Sequence, residues 1–191
     1  MLNKTYLSIA LLLMSASTFA DNTLIEMQTS KGVIEIELFD DQAPITTENF
    51  KEYVKSGFYK ETIFHRVIPG FMIQGGGMNT EMVEKVTQPA IKNESYNQLK
   101  NQRGTLAMAR TNQPDSASSQ FFINLEDNDF LNRSQNSAGY AVFGRVNKGM
   151  SIVDAIAKQP TGAFNHHNDV PLTPIVIKDV KIKASVLKKD K

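Results

Sequence analysis

The chain has 191 residues with 21 basic and 20 acidic side chains, three histidines and no cysteine. A net charge near zero argues against nucleic acid or an anionic membrane as the main partner. The lack of cysteine excludes disulfides, thiol catalysis and lipid attachment through a cysteine.

Residues 1–20, MLNKTYLSIALLLMSASTFA, read as a secretory signal peptide: one charge at Lys4, an apolar run over Leu7–Met14, then small residues to Ala20. That run is too short to span a bilayer. Cleavage after Ala20, with Thr18 a mild departure from the Ala-x-Ala pattern, leaves residues 21–191 as one domain with room for its own core. No later segment is apolar for long enough to cross a membrane. The expectation is a soluble monomer exported to the periplasm, with release beyond the cell as the other destination.

Leu24–Thr29 and Val33–Phe39 read as strands around Ser30-Lys31-Gly32, and in the second Val33, Glu35 and Glu37 alternate with Ile34, Ile36 and Leu38. A helix follows, opened by Pro44 and Thr46–Thr47 with Glu48 in its first turn and stopped by Gly57. Its Phe50, Tyr53 and Val54 form one apolar face. Further strands are predicted at Thr62–Ile68, Phe71–Gln74, Gly104–Ala109, Gln120–Asn124, Tyr140–Val146 and Ile175–Lys183, and a second helix at Gly149–Lys158. Many short strands with two short helices suggest an antiparallel barrel or sandwich whose ends the helices cover. Met78–Arg103 is long, polar and poorly periodic, as functional loops or loops with short elements of their own tend to be.

Several chemistries fail on residue pattern. There is no Gly-x-Ser-x-Gly elbow, and Ser116, Ser118 and Ser119 lie in PDSASSQ, a turn composition. His65 has no acid partner nearby in sequence. His166–His167 with Asp169 is the one histidine-rich spot, but adjacent histidines point apart on most backbones, so a solvated loop is the better reading and no metal is expected. Gly75–Gly77 is not followed by Gly-Lys-Ser/Thr; the glycines suit a bulge or the close approach of a ligand. What remains is FHRVIPGFMIQGGG, apolar runs bent at Pro69–Gly70 around Arg66. An arginine side chain is a poor base, since its guanidinium stays charged at biological pH. Set among Phe64, Phe71 and Met72, it either stabilises the fold or polarises a ligand, and a turn could bring Gln74 within hydrogen-bonding reach of it. Phe122, Phe130, Leu131, Tyr140 and Phe143 are singly best read as core, but with Arg66 they point to an apolar pocket with a fixed cation.

FHRVIPGFMIQGGG, NQRGTLAMAR, SSQFFINL and YAVFGRVNKGM, in that order, resemble the cyclophilin family of peptidyl-prolyl cis–trans isomerases over about Ile25–Lys183, and most closely its exported bacterial members. The resemblance implies a closed eight-stranded antiparallel β-barrel capped by two α-helices, with no cofactor. It implies Arg66 as the catalytic arginine with Gln74 orienting it, and Phe71, Met72, Phe122 and Leu131 as the proline pocket. Ala109 and Arg110 match the family's Ala-Asn pair, which contacts substrate through backbone, and Gln120 sits near the peptide. Tyr140 and Phe130 stand where many eukaryotic members have His and Trp, so cyclosporin binding is expected to be weak. The partners implied are proline-containing unfolded or flexible polypeptides, and the role is folding of exported proteins. Two other readings compete: a proline-peptide-binding chaperone or adaptor with incidental turnover, and a barrel with a vestigial site. The full set of Arg66, Phe71, Gln74, Phe122 and Leu131 favours the enzyme.

Overall fold

The computed structural model describes residues 22–183, so the expected signal peptide lies outside the described residues. In chain order the elements are β1 (Leu24–Thr29), β2 (Gly32–Leu38), α1 (Pro44–Lys55), β3 (Thr62–Ile68), β4 (Met72–Asn79), β5 (Thr105–Met108), β6 (Phe121–Asn124), β7 (Val142–Lys148), α2 (Met150–Ala157), β8 (Thr161–Phe164), β9 (His167–Pro171) and β10 (Val176–Lys183). Eight strands close into an antiparallel barrel in the order β1-β10-β3-β4-β6-β5-β7-β2, and β8 and β9 form a separate hairpin. Closure gives every barrel strand two neighbours and leaves no open edge. The barrel reading therefore holds over the sandwich.

The interior follows from the period of two. Ile25, Met27, Ile34, Ile36 and Leu38 project inward from β1 and β2, while Ile73, Leu106, Phe121, Ile123 and Phe143 do so from the other side. Helix α1 sets Phe50, Tyr53 and Val54 on this core, and Phe50 meets Tyr59, Phe121 and Phe143 with ring centroids 5.0–5.6 Å apart. Helix α2 contributes Val153, Ile156 and Ala157, and its Ile152 packs at the edge of the same cluster.

The start of α1 differs from the sequence reading. Its N-cap is Ala43, which has no side-chain acceptor, and Thr46 and Thr47 lie inside the helix; Glu48 falls beyond the first turn. The cap comes instead from the buried Glu94, whose carboxylate accepts from the amides of Ile45 (3.1 Å) and Thr46 (2.7 Å) and from the Thr46 hydroxyl (2.7 Å). A carboxylate suits this place because the free N–H groups of a first turn carry partial positive charge. Met78–Arg103 is thus a structural loop at Glu94, and it holds a short 3₁₀ turn at Ser95–Asn97. At the other end the sequence reading is correct: Gly57, at φ +68°, lets its amide reach Val54 O and the Phe58 amide reach Tyr53 O, both at 3.0 Å.

The β8–β9 hairpin is not legible in the sequence because TGAF and HNDVP lack a period-two apolar pattern. Strand β4 also runs further than expected, through all three glycines. A Cβ on Gly76 would meet the Phe121 ring at 2.7 Å, and one on Gly77 would overlap the Gln120 side chain. The close approach these glycines permit is made by the protein's own side chains.

Replacing Glu94 with Ala should leave three donors at a buried helix start without their acceptor, lowering the unfolding free energy by about 2–4 kcal/mol. Glu94→Gln should recover part of the loss. Urea unfolding followed by circular dichroism checks this, and equal stability of Glu94→Ala and the native protein would remove Glu94 as the cap.

Candidate active site

The outward-facing side chains of the same strands build a second apolar cluster. Met72 of β4, Phe122 of β6, Ala107 of β5 and Val142 of β7 alternate with the core residues and are covered by Leu131, Phe71 and Tyr140. Strand β6 is buried on both faces for this reason. Pairing across the sheet sets five residues in one row: Arg66 opposite Gln74, Gln74 opposite Phe122, Phe122 opposite Ala107, and Ala107 opposite Val142.

Arg66 reaches that row only because β3 is irregular. Phe64 and Val67 both point into the core, three residues apart, so strict alternation fails between them. Between the pairs Phe64–Gly75 and Arg66–Gln74, β3 advances two residues and β4 one. This is a β-bulge, and it turns both His65 and Arg66 to the outer face. The turn that follows has Pro69 and Gly70 at its centre, Gly70 at φ +71° and the Phe71 amide bonded to Ile68 O at 3.1 Å, which is type II geometry.

A cavity of about 200 Å³ opens over the row, lined by Arg66, Phe71, Met72, Gln74, Ala109, Arg110, Phe122, Leu131 and Tyr140. Nine of the eleven site residues named from sequence therefore converge. The other two lie beside it. Phe130 is 70% exposed and stacks against Phe71 from the rim, with centroids 5.5 Å apart. Gln120 lines an adjoining groove of about 390 Å³ that shares Arg66 and Gln74 with the pocket. Gln74 is also engaged differently from the expectation. Its amide donates to Gln120 Oε1 at 2.9 Å, and among the described residues no hydrogen bond joins it to Arg66.

The partner of Arg66 is Asp169 of β9, with Nε and Oδ2 3.8 Å apart and both side chains more than 40% exposed. In the sequence Asp169 belongs only to a weak metal spot, and Arg66 lies over a hundred positions away. His166 and His167 do not point apart as expected; their rings pack with centroids 4.4 Å apart and, with Asp169, line the adjoining groove. A further device unseen in the sequence is a chain of buried amides. Asn128 Nδ2 donates to Asn124 Oδ1, Asn124 Nδ2 to Asn101 Oδ1, and Asn101 Nδ2 to Asn132 Oδ1, at 2.8–3.2 Å. Asn128 also donates to Phe71 O at 2.9 Å, so this network ties the loop carrying Leu131 to the far wall of the pocket. Three of these asparagines lie in loops and the fourth, Asn124, ends β6, so they give no periodic signal from which the network is legible.

His65 is buried beside Arg66. Burial first, and the neighbouring charges of His167 and Arg66 next, push its pKa down to about 4. An imidazole in that setting is neutral at pH 7 and resists protonation. Arg66 thus has a neutral neighbour on its own strand, Asp169 on one side and an apolar pocket on the other. That arrangement can hold an apolar ring and present N–H donors at its edge without proton transfer.

Residues 24–182 match the family model described as cyclophilin type peptidyl-prolyl cis-trans isomerase. The chain is 57% identical over 184 residues to the peptidyl-prolyl cis-trans isomerase of Acinetobacter baylyi, covering 96% of this chain and 97% of that protein. It is 52% identical over 162 residues to peptidyl-prolyl cis-trans isomerase B of Escherichia coli, covering 83% and 99%. Among solved structures, a cyclophilin type isomerase of Cryptosporidium parvum determined in the presence of the dipeptide Ala-Pro superposes with a TM-score of 0.70 at 31% identity, covering 85% of this chain and 99% of that one. The chain belongs to the cyclophilin-type peptidyl-prolyl cis–trans isomerase family and is an isomerase of that type.

Folding stability should depend on His65. With an ordinary value of 6.5 in the unfolded chain and about 4 in the folded one, its contribution is complete above pH 6.5. As pH falls, the unfolded state takes up the proton first, so stability drops between pH 6.5 and about 4 and then levels off, a total of about 3 kcal/mol. His65→Gln should flatten that part of the profile in urea titrations at a series of pH values. An unchanged slope in the variant would assign the acid sensitivity to other groups.

Proposed function

We propose that the pocket over the Arg66–Gln74–Phe122–Ala107–Val142 row is where X–Pro bonds are isomerised. The observation that carries this reading is the Arg66 guanidinium at the edge of a ring-sized cavity walled by Phe71, Met72, Phe122 and Leu131, with a second guanidinium, that of Arg110, at its rim. Phe71, Met72, Phe122 and Leu131 hold the proline ring, and the rest of the peptide turns outside. The planar imide resists rotation with a barrier of about 18–20 kcal/mol because the nitrogen lone pair is delocalised into the carbonyl. Twisting localises that pair on nitrogen, which then accepts a hydrogen bond. Arg66 N–H groups directed there stabilise the twisted state more than either planar isomer, which is what catalysis requires. No proton changes hands, so a donor that keeps its proton is suited to the task.

The magnitude is within reach of these parts. Uncatalysed isomerisation takes roughly 10–100 s, so turnover at about 10³ per second needs a gain of roughly 10⁴–10⁵, or about 6–7 kcal/mol. A charge-assisted hydrogen bond in a partly dry site, with the ring held in place, supplies energy of that order. Exchange of a neutral Ala-Ala-Pro-Phe peptide measured by NMR should be accelerated without cleavage, and Phe122→Ala should raise KM about tenfold or more by removing the floor of the pocket. Undiminished affinity in that variant would place the substrate elsewhere.

We also propose that the substrates are proline-containing segments of exported proteins during folding, and that the protein acts outside the cytoplasm. Support comes from the three-part layout of residues 1–20. Cell fractionation followed by intact-mass measurement should find a chain beginning at Asp21 in the periplasmic fraction. A full-length chain starting at Met1 in the cytoplasm would end this proposal.

A further inference from the structure

This inference rests on the site assignment above: if a proline-containing chain lies in the pocket, two guanidiniums flank it, and they are not equivalent. Arg66 faces Asp169. Among the described residues no carboxylate lies within ion-pair distance of Arg110, although it is fixed more firmly. Its guanidinium lies 4.5 Å from the centre of the Tyr140 ring, Nε donates to Gly139 O at 3.0 Å and Nη1 donates to Thr111 O at 2.8 Å. Those contacts use two of the five N–H groups and leave both hydrogens of Nη2 and one of Nη1 unbound.

Packing over Tyr140 explains where the stem of Arg110 lies. It does not explain why a charge is kept at the wall of an apolar pocket with no counter-anion. Two further cations lie on this side. Arg133 donates to Ala138 O at 3.5 Å, next to the carbonyl that Arg110 holds, and Lys92 lines a narrow cleft together with Arg110. Asp115, in the loop that follows Arg110, is engaged with the Asn93 amide at 2.9 Å. An immobilised, planar guanidinium that lacks an anion matches a carboxylate at little entropic cost.

We propose that Arg110 forms a carboxylate-binding subsite at the rim of the proline pocket, so that the enzyme prefers X–Pro segments carrying Asp or Glu within two residues of the proline. The anion is supplied by the substrate chain. Arg133 and Lys92 add attraction at longer range, and the preference weakens with salt.

The test uses neutral-ended Ala-Ala-Pro-Phe peptides with Glu, or Gln as the uncharged control, placed one or two residues before or after the proline. Catalysed exchange is measured by NMR for each pair. The native protein should favour Glu over Gln in kcat/KM by about three- to tenfold at one of these positions. The ratio should shrink in about 0.5 M salt and fall to about one in Arg110→Gln. Should that variant fail to fold, seen from its ¹H–¹⁵N spectrum, Arg110→Met retains a stem over Tyr140 and carries the comparison. A ratio of about one at every position in the native protein overturns the proposal, as does a ratio that survives in the variants, which would assign it to Arg66. If the Gln peptides are not accelerated at all, it is the site assignment that fails; if they are accelerated without a Glu preference, only the carboxylate subsite does.

Discussion

The site depends on one extra residue in β3. With regular alternation after Phe64, Arg66 would enter the barrel, among Ile73, Phe121 and Ile123, where an unpaired guanidinium costs several kcal/mol. The bulge spends a ladder position to turn Arg66 outward and return Val67 to the core. Once outward, Arg66 stands at the head of a row of cross-strand neighbours whose other members are an amide and three apolar side chains. The cation, the pocket floor and the core are then fixed by the same backbone hydrogen bonds.

That arrangement divides labour by strand face. Inward residues of β4, β6, β5 and β7 are core, and outward ones are pocket, so the surface that meets a substrate is held by a sheet packed on its other side. Loops supply only the cover, and buried polar groups stiffen them. The asparagine chain fixes Leu131 relative to Phe71, and Glu94 joins the long loop to the start of α1. Such satisfied networks add rigidity where an apolar contact alone would permit sliding. Arg110 belongs to the same design, a charge held flat on Tyr140 at the edge of the pocket.

Much of this was legible in the sequence wherever period or turn chemistry carries the signal. The barrel strands, both helices, the Gly57 stop and the Pro69–Gly70 turn all follow from local rules, and the motif around Arg66 names the family. What is not legible depends on pairing between distant segments. A bulge leaves no mark in IFHRVI, because the pattern is equally compatible with an unbroken strand. The turn does set Gln74 opposite Arg66, but its side-chain amide bonds to Gln120, which precedes β6 on the other side. Phe130, expected at the pocket as an aromatic standing where many eukaryotic members have Trp, lies at its rim because the 3₁₀ turn at Asp129–Leu131 directs Leu131 inward instead. Glu94 and Asp169 act on residues 48 and 103 positions away in the chain, a distance no local pattern bridges.

Arg66 is assigned to the twisted bond rather than to holding the peptide, and the two roles separate in one experiment. NMR line shapes of a Pro peptide titrated with Arg66→Ala give the dissociation constant and the on-enzyme interconversion rate independently. Action on the twisted state predicts an affinity within a few-fold of native and an interconversion rate lower by about 10²–10³. A variant that binds far more weakly yet interconverts its bound peptide at the native rate would contradict it, and Arg66 would then be a binding residue.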